Sequence, residues 1–370
     1  MPPDLSIVLP CYNEGPNIPL ILERLRPFWP AERFELILVD NGSTDSSAAL
    51  LAAECARPGN PFLRVVTVPR NIGYGHGLMS GLRAAEAPLL AYSHADIQTP
   101  PEDVFRAYHL LAERGLDPAE TLVKGRRINR PASALRLTNG LAWVAQLALG
   151  QPMDDINGQP KLFPRRLLAS LSHPPAGFAF DTYLLYVARL QGLACVDFPV
   201  DFGARLHGES KWAASALSRY KTIWAYLVSI FQIAAAHYDA PGNLLRQITR
   251  FLATGLLTNL VNYATFWLLL RGLGVHYLAA SAAGFLAGFA VGFAVNRRWT
   301  FGAAGGQARG QLLRFLLVNL ASLAANLAVV RLFTEGAGLR PELSQLIAIA
   351  VSTAINFGGS KFWAFREPAE

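Results

Sequence analysis

The sequence predicts an α/β domain with a mostly parallel sheet, followed by an all-α membrane domain. Through roughly the first two hundred residues, apolar runs of strand length alternate with helix-length segments, which is the pattern of an α/β fold. Beyond residue 246 the chain consists almost entirely of apolar tracts between short basic patches. These tracts are long enough to cross a bilayer. The chain is therefore predicted to contain two unlike domains.

Composition agrees with this division. Of the 370 residues, 52% are hydrophobic and 16% are charged, a balance too apolar for a purely soluble protein or a disordered chain. The three cysteines, Cys11, Cys55 and Cys195, lie far apart, so neither a disulfide framework nor a zinc site is predicted. The net charge of +7 suits nucleic acid, anionic lipid or an anionic substrate, and the positions of the charges must decide among them.

Four apolar runs predict the first strands, and the segments between them predict helices. Ligands of parallel α/β sheets bind beyond the carboxyl ends of the strands, so the residues after each run are the candidates for chemistry. The predicted strands are 5–9, 34–39, 63–68 and 89–93, with helices at 18–28 and 101–114.

The first two strands end in polar motifs that suit a nucleotide. An aromatic ring can stack on a base, carboxylates can accept hydrogen bonds from base and ribose, and a glycine turn before a helix can bind phosphate. The glycine-rich run 71–77 is expected to let the backbone pass close to the nucleotide, whereas no kinase-type or dinucleotide fingerprint is present. The candidate nucleotide-binding residues are Pro10, Tyr12, Asn13, Glu14, Asp40, Gly42, Ser43, Asn71 and Gly73.

The fourth strand is followed by a candidate metal site. Residues 94, 96 and 98 would point to one side of an extended chain, so an imidazole, a carboxylate and an amide oxygen could converge on one ion that bridges a diphosphate. The candidate metal ligands are His94, Asp96 and Gln98.

Four later segments reach the roughly twenty residues that a membrane-spanning helix needs. A shorter apolar segment, 222–236, is interrupted by Gln232 and has basic and aromatic residues nearby, which predicts an interfacial helix lying on the membrane. A buried helix or a short span is the alternative. The predicted spans are 251–270, 277–295, 312–332 and 343–359.

The basic residues of the membrane part predict its orientation. They cluster before the first span, between the second and third, and after the fourth, so by the positive-inside rule these segments lie in the cytoplasm with the N-terminal domain and both termini. The N-terminal residues lack a signal-peptide pattern, which agrees. The clustered residues are Arg246, Arg250, Arg297, Arg298, Arg309, Arg314, Lys361 and Arg366.

The membrane part also contains an internal repeat. An offset of 64 residues places Arg250 on Arg314 and Asn262 on Asn326, and it aligns further aromatic and basic positions near the ends of the second and fourth spans. The sequence therefore predicts two helical hairpins of the same design.

Together these motifs resemble a family 2 glycosyltransferase of the GT-A fold, and more narrowly the polyprenol-phosphate glycosyltransferases typified by dolichol-phosphate mannose synthase. The motifs are PCYNE at 10–14, VDNGSTD at 39–45, NIGYG at 71–75, HADIQ at 94–98 and PVDFGARLHGESK at 199–211. The last part resembles the GtrA-like membrane domain fused to some members. The implied organisation is a GT-A domain at 1–212, interfacial helices and a linker at 213–245 and a transmembrane domain at 246–370.

The resemblance implies an activity at the cell membrane. An inverting transferase would move a hexose from a nucleotide-diphosphate sugar, of the GDP-mannose or UDP-glucose type, to dolichyl or undecaprenyl phosphate on the cytoplasmic face. It implies that Asp96 and Gln98 coordinate Mn²⁺ or Mg²⁺, and that Pro10, Tyr12, Glu14 and Asp40 hold the nucleoside. Two positions depart from the family pattern: His94 takes the first acidic place of the metal motif, and Asn41 replaces the second Asp of VDDGSTD. The segment 154–161, DDINGQPK, likewise stands where such relatives carry a differently worded acidic and glycine turn.

The acceptor determines what the site must supply. A lipid phosphate with a second pKa of about 6 is already an anion, so it needs positive charge and in-line alignment and no general base. The resemblance places Gly125, Arg126, Arg127 and Arg136 near phosphate, and a closing loop at 205–211. The candidate catalytic residues are Asp96, Arg126, Arg136, Arg205 and Lys211, and the candidate acceptor-phosphate ligands are Arg126, Arg127, Arg136, Arg205 and Ser210.

Other interpretations stay open at this stage. A processive polysaccharide synthase would share the donor site, but the nearest match to its Q-x-x-R-W motif, at 247–251, lacks the Trp. A catalytically silent scaffold or translocator of lipid-linked sugar would share the fold, although the spans carry no buried charge or broken helix pair. Nucleic acid is not an expected partner, because the basic residues lie at membrane edges and phosphate motifs. Gly284, Gly288 and Gly292 predict close helix packing within or between protomers, which leaves a homo-oligomer open.

Overall fold

A computed structural model describes residues 2–203 and 216–366. The chain divides into two compact units, Met1–Ala240 and Pro241–Glu370. The first unit holds a sheet covered by helices, and the second is entirely helical in its described part. The loop positions Arg205, Ser210 and Lys211 lie outside the described residues.

A seven-stranded sheet forms the centre of the first unit, in the order β3-β2-β1-β4-β6-β5-β7. All neighbouring pairs are parallel except those made by β6, which runs antiparallel to both β4 and β5. The predicted mostly parallel sheet is therefore confirmed. The strands are β1 Leu5–Cys11, β2 Phe34–Asp40, β3 Leu63–Thr67, β4 Leu89–Tyr92, β5 Thr121–Ile128, β6 Lys161–Pro164 and β7 Ala194–Asp201.

Hydrophobic sequence explains why β1 and β2 lie in the middle of the sheet. Every residue of β2 is buried, as are all but one of β1, because helices cover both faces of a parallel sheet. Apolar side chains of the covering helices pack against the sheet, among them Ile18 and Leu22 of α1 and Val104 of α4. The helices of this unit are α1 Asn17–Leu25, α2 Ser47–Cys55, α3 Tyr74–Ala84, α4 Asp103–Glu113, α5 Ala132–Leu149, α6 Phe180–Leu190 and α7 Ala216–Ala236.

Helix α7 contains the segment predicted to lie on the membrane, and it has two different faces. One face packs on the first unit, where the Tyr226 and Thr182 hydroxyls are 2.5 Å apart and Ile230 is fully buried. The other face exposes large aromatic side chains, with Trp224 and Tyr220 exposed by 60% and 66%. An apolar face without a protein partner in this unit is what an interfacial helix presents to lipid.

The second unit consists of four helices that are long and apolar enough to cross a membrane, at Leu244–Gly272, Tyr277–Thr300, Ala308–Gly336 and Pro341–Ala364. Each ends in one π-helical turn, so that α8 Leu244–Trp267, α9 Tyr277–Val295, α10 Ala308–Arg331 and α11 Pro341–Gly359 are followed by turns at 268–272, 296–300, 332–336 and 360–364. Every boundary of the first pair recurs 64 residues later in the second pair. The predicted pair of repeated hairpins is confirmed.

The repeat extends to side-chain contacts. Arg250 donates a hydrogen bond to the carbonyl oxygen of Trp299 at 2.7 Å, and Arg314 makes the equivalent bond to Trp363 at 3.0 Å. Phenylalanine rings join the two hairpins near these ends, for example Phe301 stacked on Phe365 with ring centroids 5.3 Å apart. The hairpins are therefore fastened together at the end that carries the basic residues.

The glycines of α9 serve packing within the first hairpin. Gly284, Gly288 and Gly292 are buried, and a Cβ atom built on Gly284 would lie 2.6 Å from the carbonyl oxygen of Asn262 on α8. Of the two uses expected for this glycine motif, the structure shows the one within a protomer. Small residues let the α8 and α9 backbones approach closely in a membrane.

Replacing Gly284 by Ala should therefore separate the two helices and lower the thermal unfolding midpoint of the full chain in detergent. Overpacking of this kind costs about 1–3 kcal/mol. The matched control is Gly358→Ala on α11, where an added Cβ meets nothing within 4 Å. The control should be neutral or slightly stabilising, since Ala favours helix over Gly. Equal destabilisation by both substitutions would contradict this account.

Candidate functional site

The ends of β1 and β2 are tied into one structure. Asn13, in the left-handed region at φ +58°, accepts a hydrogen bond at its Oδ1 from the backbone N–H of Thr44 at 2.9 Å. In return, the Asn13 N–H donates to the Ser43 hydroxyl at 3.2 Å. The motifs 10–14 and 39–45, which the sequence analysis assigned to a nucleotide, therefore form adjacent walls of one surface at the carboxyl edge of the sheet.

Asp40 and Asn41, at the end of β2, shape the floor of this surface. The Asp40 carboxylate accepts a hydrogen bond from the Ser43 N–H at 2.9 Å and so closes the turn through Gly42, whose φ is +71°. Asn41 is 3% exposed and donates from Nδ2 to the carbonyl oxygen of Gly73 at 3.1 Å. An ionised Asp at position 41 could not donate this bond, which gives the departure from the family motif a structural reason.

The glycine-rich run leads into α3 and packs on the loop before α6. A Cβ atom built on Gly75 would lie 2.2 Å from the Pro175 carbonyl oxygen, so only glycine fits there. Tyr74 stacks on Phe178, with ring centroids 5.8 Å apart, and its hydroxyl accepts a hydrogen bond from Gln159 Nε2 at 2.7 Å. The run thus brings an aromatic pair to the site, while Asn71 lies exposed at its start.

The chain turns after β4, so the expected extended geometry of 94–98 is wrong. Ile97 takes the left-handed conformation at φ +56°, and Gln98 N–H donates back to the Asp96 carboxylate at 3.2 Å. Gln98 Nε2 donates to the Gly203 carbonyl oxygen at 3.1 Å, and Oε1 is the atom of this side chain whose chemistry suits a metal. Alternation along a strand therefore does not bring His94, Asp96 and Gln98 together.

His94 nevertheless lies in the same neighbourhood as Asp96. Its ring centroid is 5.9 Å from that of Tyr74. Burial lowers the pKa of His94, and the charge of Asp96 opposes that shift only in part. At neutral pH the imidazole is therefore in the uncharged form that binds metal.

A buried ion pair lies close to the end of β4, next to the segment 94–98. The Lys161 ammonium contacts the Asp181 carboxylate, with both side chains inaccessible to solvent. The Tyr92 hydroxyl donates to the same carboxylate oxygen at 2.7 Å. Burial lowers the pKa of Lys161, and Asp181 counters that effect. These contacts join β4, β6 and α6 under the site.

The arginines at the end of β5 have different surroundings. Arg126 is exposed, whereas Arg127 binds Asp155 through its guanidinium and through its backbone N–H, the latter at 2.7 Å. The Arg127 guanidinium also lies 5.2 Å from the centre of the Phe202 ring. A close approach of two glycines brings the segments together, because a Cβ atom on Gly158 would lie 1.9 Å from the Gly125 carbonyl oxygen.

This pairing concerns one residue that the resemblance places near acceptor phosphate. The Arg127 guanidinium pairs with Asp155 and the Arg127 side chain is 8% exposed, so Arg127 holds the turn in place. Arg126 and Arg136 are exposed and remain available for phosphate.

Two family models match the chain. The model described as "Glycosyl transferase family 2" matches residues 6–120, and "GtrA/DPMS, transmembrane domain" matches residues 250–365. The chain combines a family 2 glycosyltransferase domain with a GtrA/DPMS transmembrane domain. It is therefore a membrane protein, and the recognised resemblance is confirmed for both parts.

Curated relatives share the name undecaprenyl-phosphate 4-deoxy-4-formamido-L-arabinose transferase. The protein from Edwardsiella ictaluri is 30% identical over 218 residues, which cover 58% of this chain and 64% of that protein. The protein from Photorhabdus laumondii is 30% identical over 213 residues, covering 56% and 63%. The match thus spans a little less than two thirds of these relatives' own length.

Among solved structures, glucosyl-3-phosphoglycerate synthase from Mycobacterium tuberculosis, in complex with Mn²⁺, uridine diphosphate and glucosyl-3-phosphoglycerate, is 24% identical. The similarity covers 62% of this chain and 80% of that one, with a TM-score of 0.47. The same enzyme with Mn²⁺, uridine diphosphate and phosphoglyceric acid gives an equal TM-score of 0.47.

Several contacts of the glycosyltransferase domain could not be predicted from the sequence. Asp155 and Lys161 lie in the segment 154–161, but their contacts, like that of Asp181, join distant parts of the chain. Arg130 could have been found from the sequence, because it follows Arg126 by four residues in a basic stretch. It lies 3.6 Å from Asp155 and 5.9 Å from the Phe202 ring, so it belongs to the same cluster as Arg127.

Removing the Asp155 charge should unfold this corner of the glycosyltransferase domain. Burial alone would raise the pKa of Asp155, but the bonds and charge of Arg127 outweigh it and hold that pKa below its ordinary value. Asp155→Asn leaves a buried guanidinium unpaired, so we expect a loss of about 3 kcal/mol in unfolding free energy at pH 7. Chemical denaturation of the full chain in detergent measures this loss.

The neighbouring Asp154→Asn is the matched control. The Asp154 side chain is 56% exposed, and Lys124, which it contacts at 3.5 Å, keeps a closer carboxylate in Asp197 at 3.0 Å, so this variant should lose far less stability. The pH dependence gives a second check. A carboxylate with a lowered folded pKa contributes stability above its unfolded pKa of about 3.9 and loses it as the pH falls further. The gap between wild type and Asp155→Asn should therefore shrink in acid, and a gap unchanged at pH 3 would refute the ion-pair explanation.

Proposed function

We propose that the protein transfers a sugar from a nucleotide-diphosphate sugar to a polyprenyl phosphate at the membrane. The observation that carries this proposal is the presence of a glycosyltransferase domain and a GtrA/DPMS transmembrane domain on one chain. The relatives named as undecaprenyl-phosphate sugar transferases support it. The product would be a lipid-linked sugar joined through one phosphate.

The donor is proposed to lie against the carboxyl edge of β1, β2 and β4. Tyr12 and Glu14 stand half-buried beside the turn closed by Asp40, where a base and ribose can be stacked and hydrogen-bonded. Pro10 lies near the end of β1, and the exposed Asn13 side chain accepts a hydrogen bond from the Thr44 N–H. The rigid link between the two loops supports binding, because a preorganised site loses little entropy when a ligand binds.

The residues after β4 suit a divalent ion that takes part of its coordination from the donor. Among residues 2–203 and 216–366, no three His, Cys, Asp or Glu side chains lie together in a way that could hold a metal ion by themselves. Asp96, 5% exposed, and the neutral imidazole of His94 would supply two ligands, and Gln98 Oε1 a third. A bound ion would neutralise charge on the leaving diphosphate. A nitrogen ligand in place of a carboxylate favours Mn²⁺ over Mg²⁺.

The acceptor needs cations and no base. Arg126 at the end of β5 and Arg136 on α5 are exposed and can meet the phosphate of the lipid. Gly125 packs against the carbonyl oxygen of Gln159, and this contact keeps the backbone of Arg126 in a fixed position. Arg205, Ser210 and Lys211 are proposed to complete this set. Attack by the phosphate oxygen in line with the departing diphosphate would invert the anomeric carbon.

The membrane arrangement follows from charge and exposed apolar surface. We propose that α7 rests in the cytoplasmic interface through Trp224 and Tyr220, with the transferase domain on the same side. Basic residues at one end of each hairpin, including Arg250 and Arg314, favour a cytoplasmic location for that end. The acceptor phosphate at the leaflet surface would then meet the donor directly.

A donor screen tests the function. The purified full chain in detergent is supplied with radiolabelled GDP-mannose, UDP-glucose and other UDP-sugars, with undecaprenyl or dolichyl phosphate and either Mn²⁺ or no metal. We expect label from one donor to enter the lipid fraction, and Asp96→Asn to lower that transfer at least a hundredfold, as loss of a group that stabilises the transition state does. The absence of a lipid product from every donor would refute the proposal.

The metal preference makes a separate prediction for His94. Asp in place of His94 adds a carboxylate, so His94→Asp should lower the Mg²⁺ concentration that gives half-maximal transfer by about tenfold, equivalent to about 1.4 kcal/mol. His94→Asn is the matched control, because it removes the imidazole without adding charge. Mn²⁺ affinity, measured by electron paramagnetic resonance, gives a readout independent of turnover. An unchanged ratio of Mg²⁺ to Mn²⁺ activation would exclude His94 from the metal site.

A further inference from the structure

A cavity of about 230 Å³ lies within the transmembrane domain. Both hairpins line it with amide side chains, and the first hairpin adds threonine hydroxyls. We call this cavity the amide cleft, and its polar lining used below consists of Thr258, Asn259, Asn262 and Asn296 from the first hairpin and Asn319 and Asn356 from the second.

The depth of these residues makes the amide cleft unusual. Asn259 and Asn262 lie near the middle of the 29-residue helix Leu244–Gly272, and Asn319 lies within the equivalent helix Ala308–Gly336. Polar side chains at such positions are costly in hydrocarbon unless they bind one another, water or a ligand. Asn356 Nδ2 does donate to Asn319 Oδ1 at 3.0 Å, so part of the lining is already paired.

One lining residue carries a hydrogen-bond acceptor without a partner. Asn296 is 4% exposed, and its Oδ1 atom has no hydrogen bond within the described part of the chain. An unpaired buried amide oxygen costs free energy, and a hydrogen bond from a hydroxyl or N–H donor would remove that cost. The amide cleft therefore lacks a donor, which points to a ligand rich in hydroxyl groups.

The remaining lining limits the class of ligand. Among the residues that the structure describes, no Lys, Arg, His, Asp or Glu lines the cavity, so neither a phosphate nor a small cation finds a charged partner in this lining. Phenylalanine rings stand beside the amides, at Phe251, Phe285, Phe289 and Phe315. Amides bind the hydroxyl groups of a sugar ring, and aromatic rings pack on its C–H surface. At roughly 30 Å³ per water, the volume corresponds to about eight waters, which is room for one sugar ring.

We propose that the amide cleft binds the sugar headgroup of a lipid-linked sugar. This inference rests on the proposed function, because that function places such a lipid in the same membrane. The two hairpins are joined by phenylalanine rings near the end that carries Arg250 and Arg314, and the amide cleft extends from there toward the middle of the bilayer.

Direct binding tests the proposal on the full chain in nanodiscs. The probes are farnesyl phosphate and its glucose, mannose and arabinose phosphodiesters, titrated by native mass spectrometry. We expect at least one glycosylated probe to bind more tightly than farnesyl phosphate, and Asn262→Leu to weaken that probe about tenfold while leaving farnesyl phosphate unchanged.

The repeat offers a matched control. Asn326 is the counterpart of Asn262 in the second hairpin, but it does not line the amide cleft, and its Nδ2 donates to Ser352 at 3.4 Å. Asn326→Leu should leave the affinity for every probe unchanged. A second variant, Asn296→Leu, should weaken the glycosylated probe yet raise the thermal unfolding midpoint of the ligand-free chain, because it removes the unpaired acceptor. A residue that serves folding alone would lower both.

The outcomes separate this inference from the proposed function. Equal affinity for farnesyl phosphate and all its glycosylated forms would overturn the sugar site, and so would equal weakening by Asn262→Leu and Asn326→Leu. Because the probes are made beforehand, binding does not require transfer by the protein. Transfer in the donor screen with no effect of Asn262→Leu on binding would refute the amide cleft alone. Absence of transfer with the expected binding pattern would refute the proposed function alone.

Discussion

The buried pair of Lys161 and Asp181 depends on the one strand that runs against the others. Because β6 is antiparallel, its first residue, Lys161, lies at the edge where the parallel strands end. Asp181 on α6 receives that ammonium, together with the Tyr92 hydroxyl from β4. Replacing such a pair by apolar residues can be neutral, but breaking it by removing one partner costs about 3–5 kcal/mol. The pair therefore constrains β4, β6 and α6 as one unit.

That constraint reaches both the residues that follow β4 and helix α7. Thr182, next to Asp181, binds Tyr226 of α7 through its hydroxyl. His94 and Asp96 lie two and four residues after Tyr92, so the position of these proposed metal ligands depends on the same contacts. A shift of α6 would thus move the support of α7 and the proposed metal ligands together. Such a coupling would suit the proposed transfer from a soluble donor to an acceptor in the membrane.

Much of the fold and part of the site could be predicted from local pattern. Strands β1 to β4, the repeated hairpins and the motifs at residues 10–14 and 39–45 depend on periodicity or on residues close in sequence. The turn at 95–99 could not be foreseen, because a β-branched residue such as Ile97 rarely adopts positive φ. The pairing of Arg127 with Asp155 could not be foreseen either, because the two residues lie 28 positions apart and only the approach of Gly125 to Gly158 brings them together.

The amide cleft also depends on contacts between distant segments, so the internal repeat alone does not predict it. The two hairpins share every helix boundary, yet Gly292 of the first stands where the second has Asn356, and Gly255 stands where the second has Asn319. Gly292 lets α9 approach α8 closely, because a Cβ atom at this position would lie only 2.8 Å from the Thr258 side chain. The second hairpin carries amides at these positions, and those amides face the first hairpin across the cavity. Two equal hairpins would have packed alike, so the polar cavity arises where the repeat has diverged.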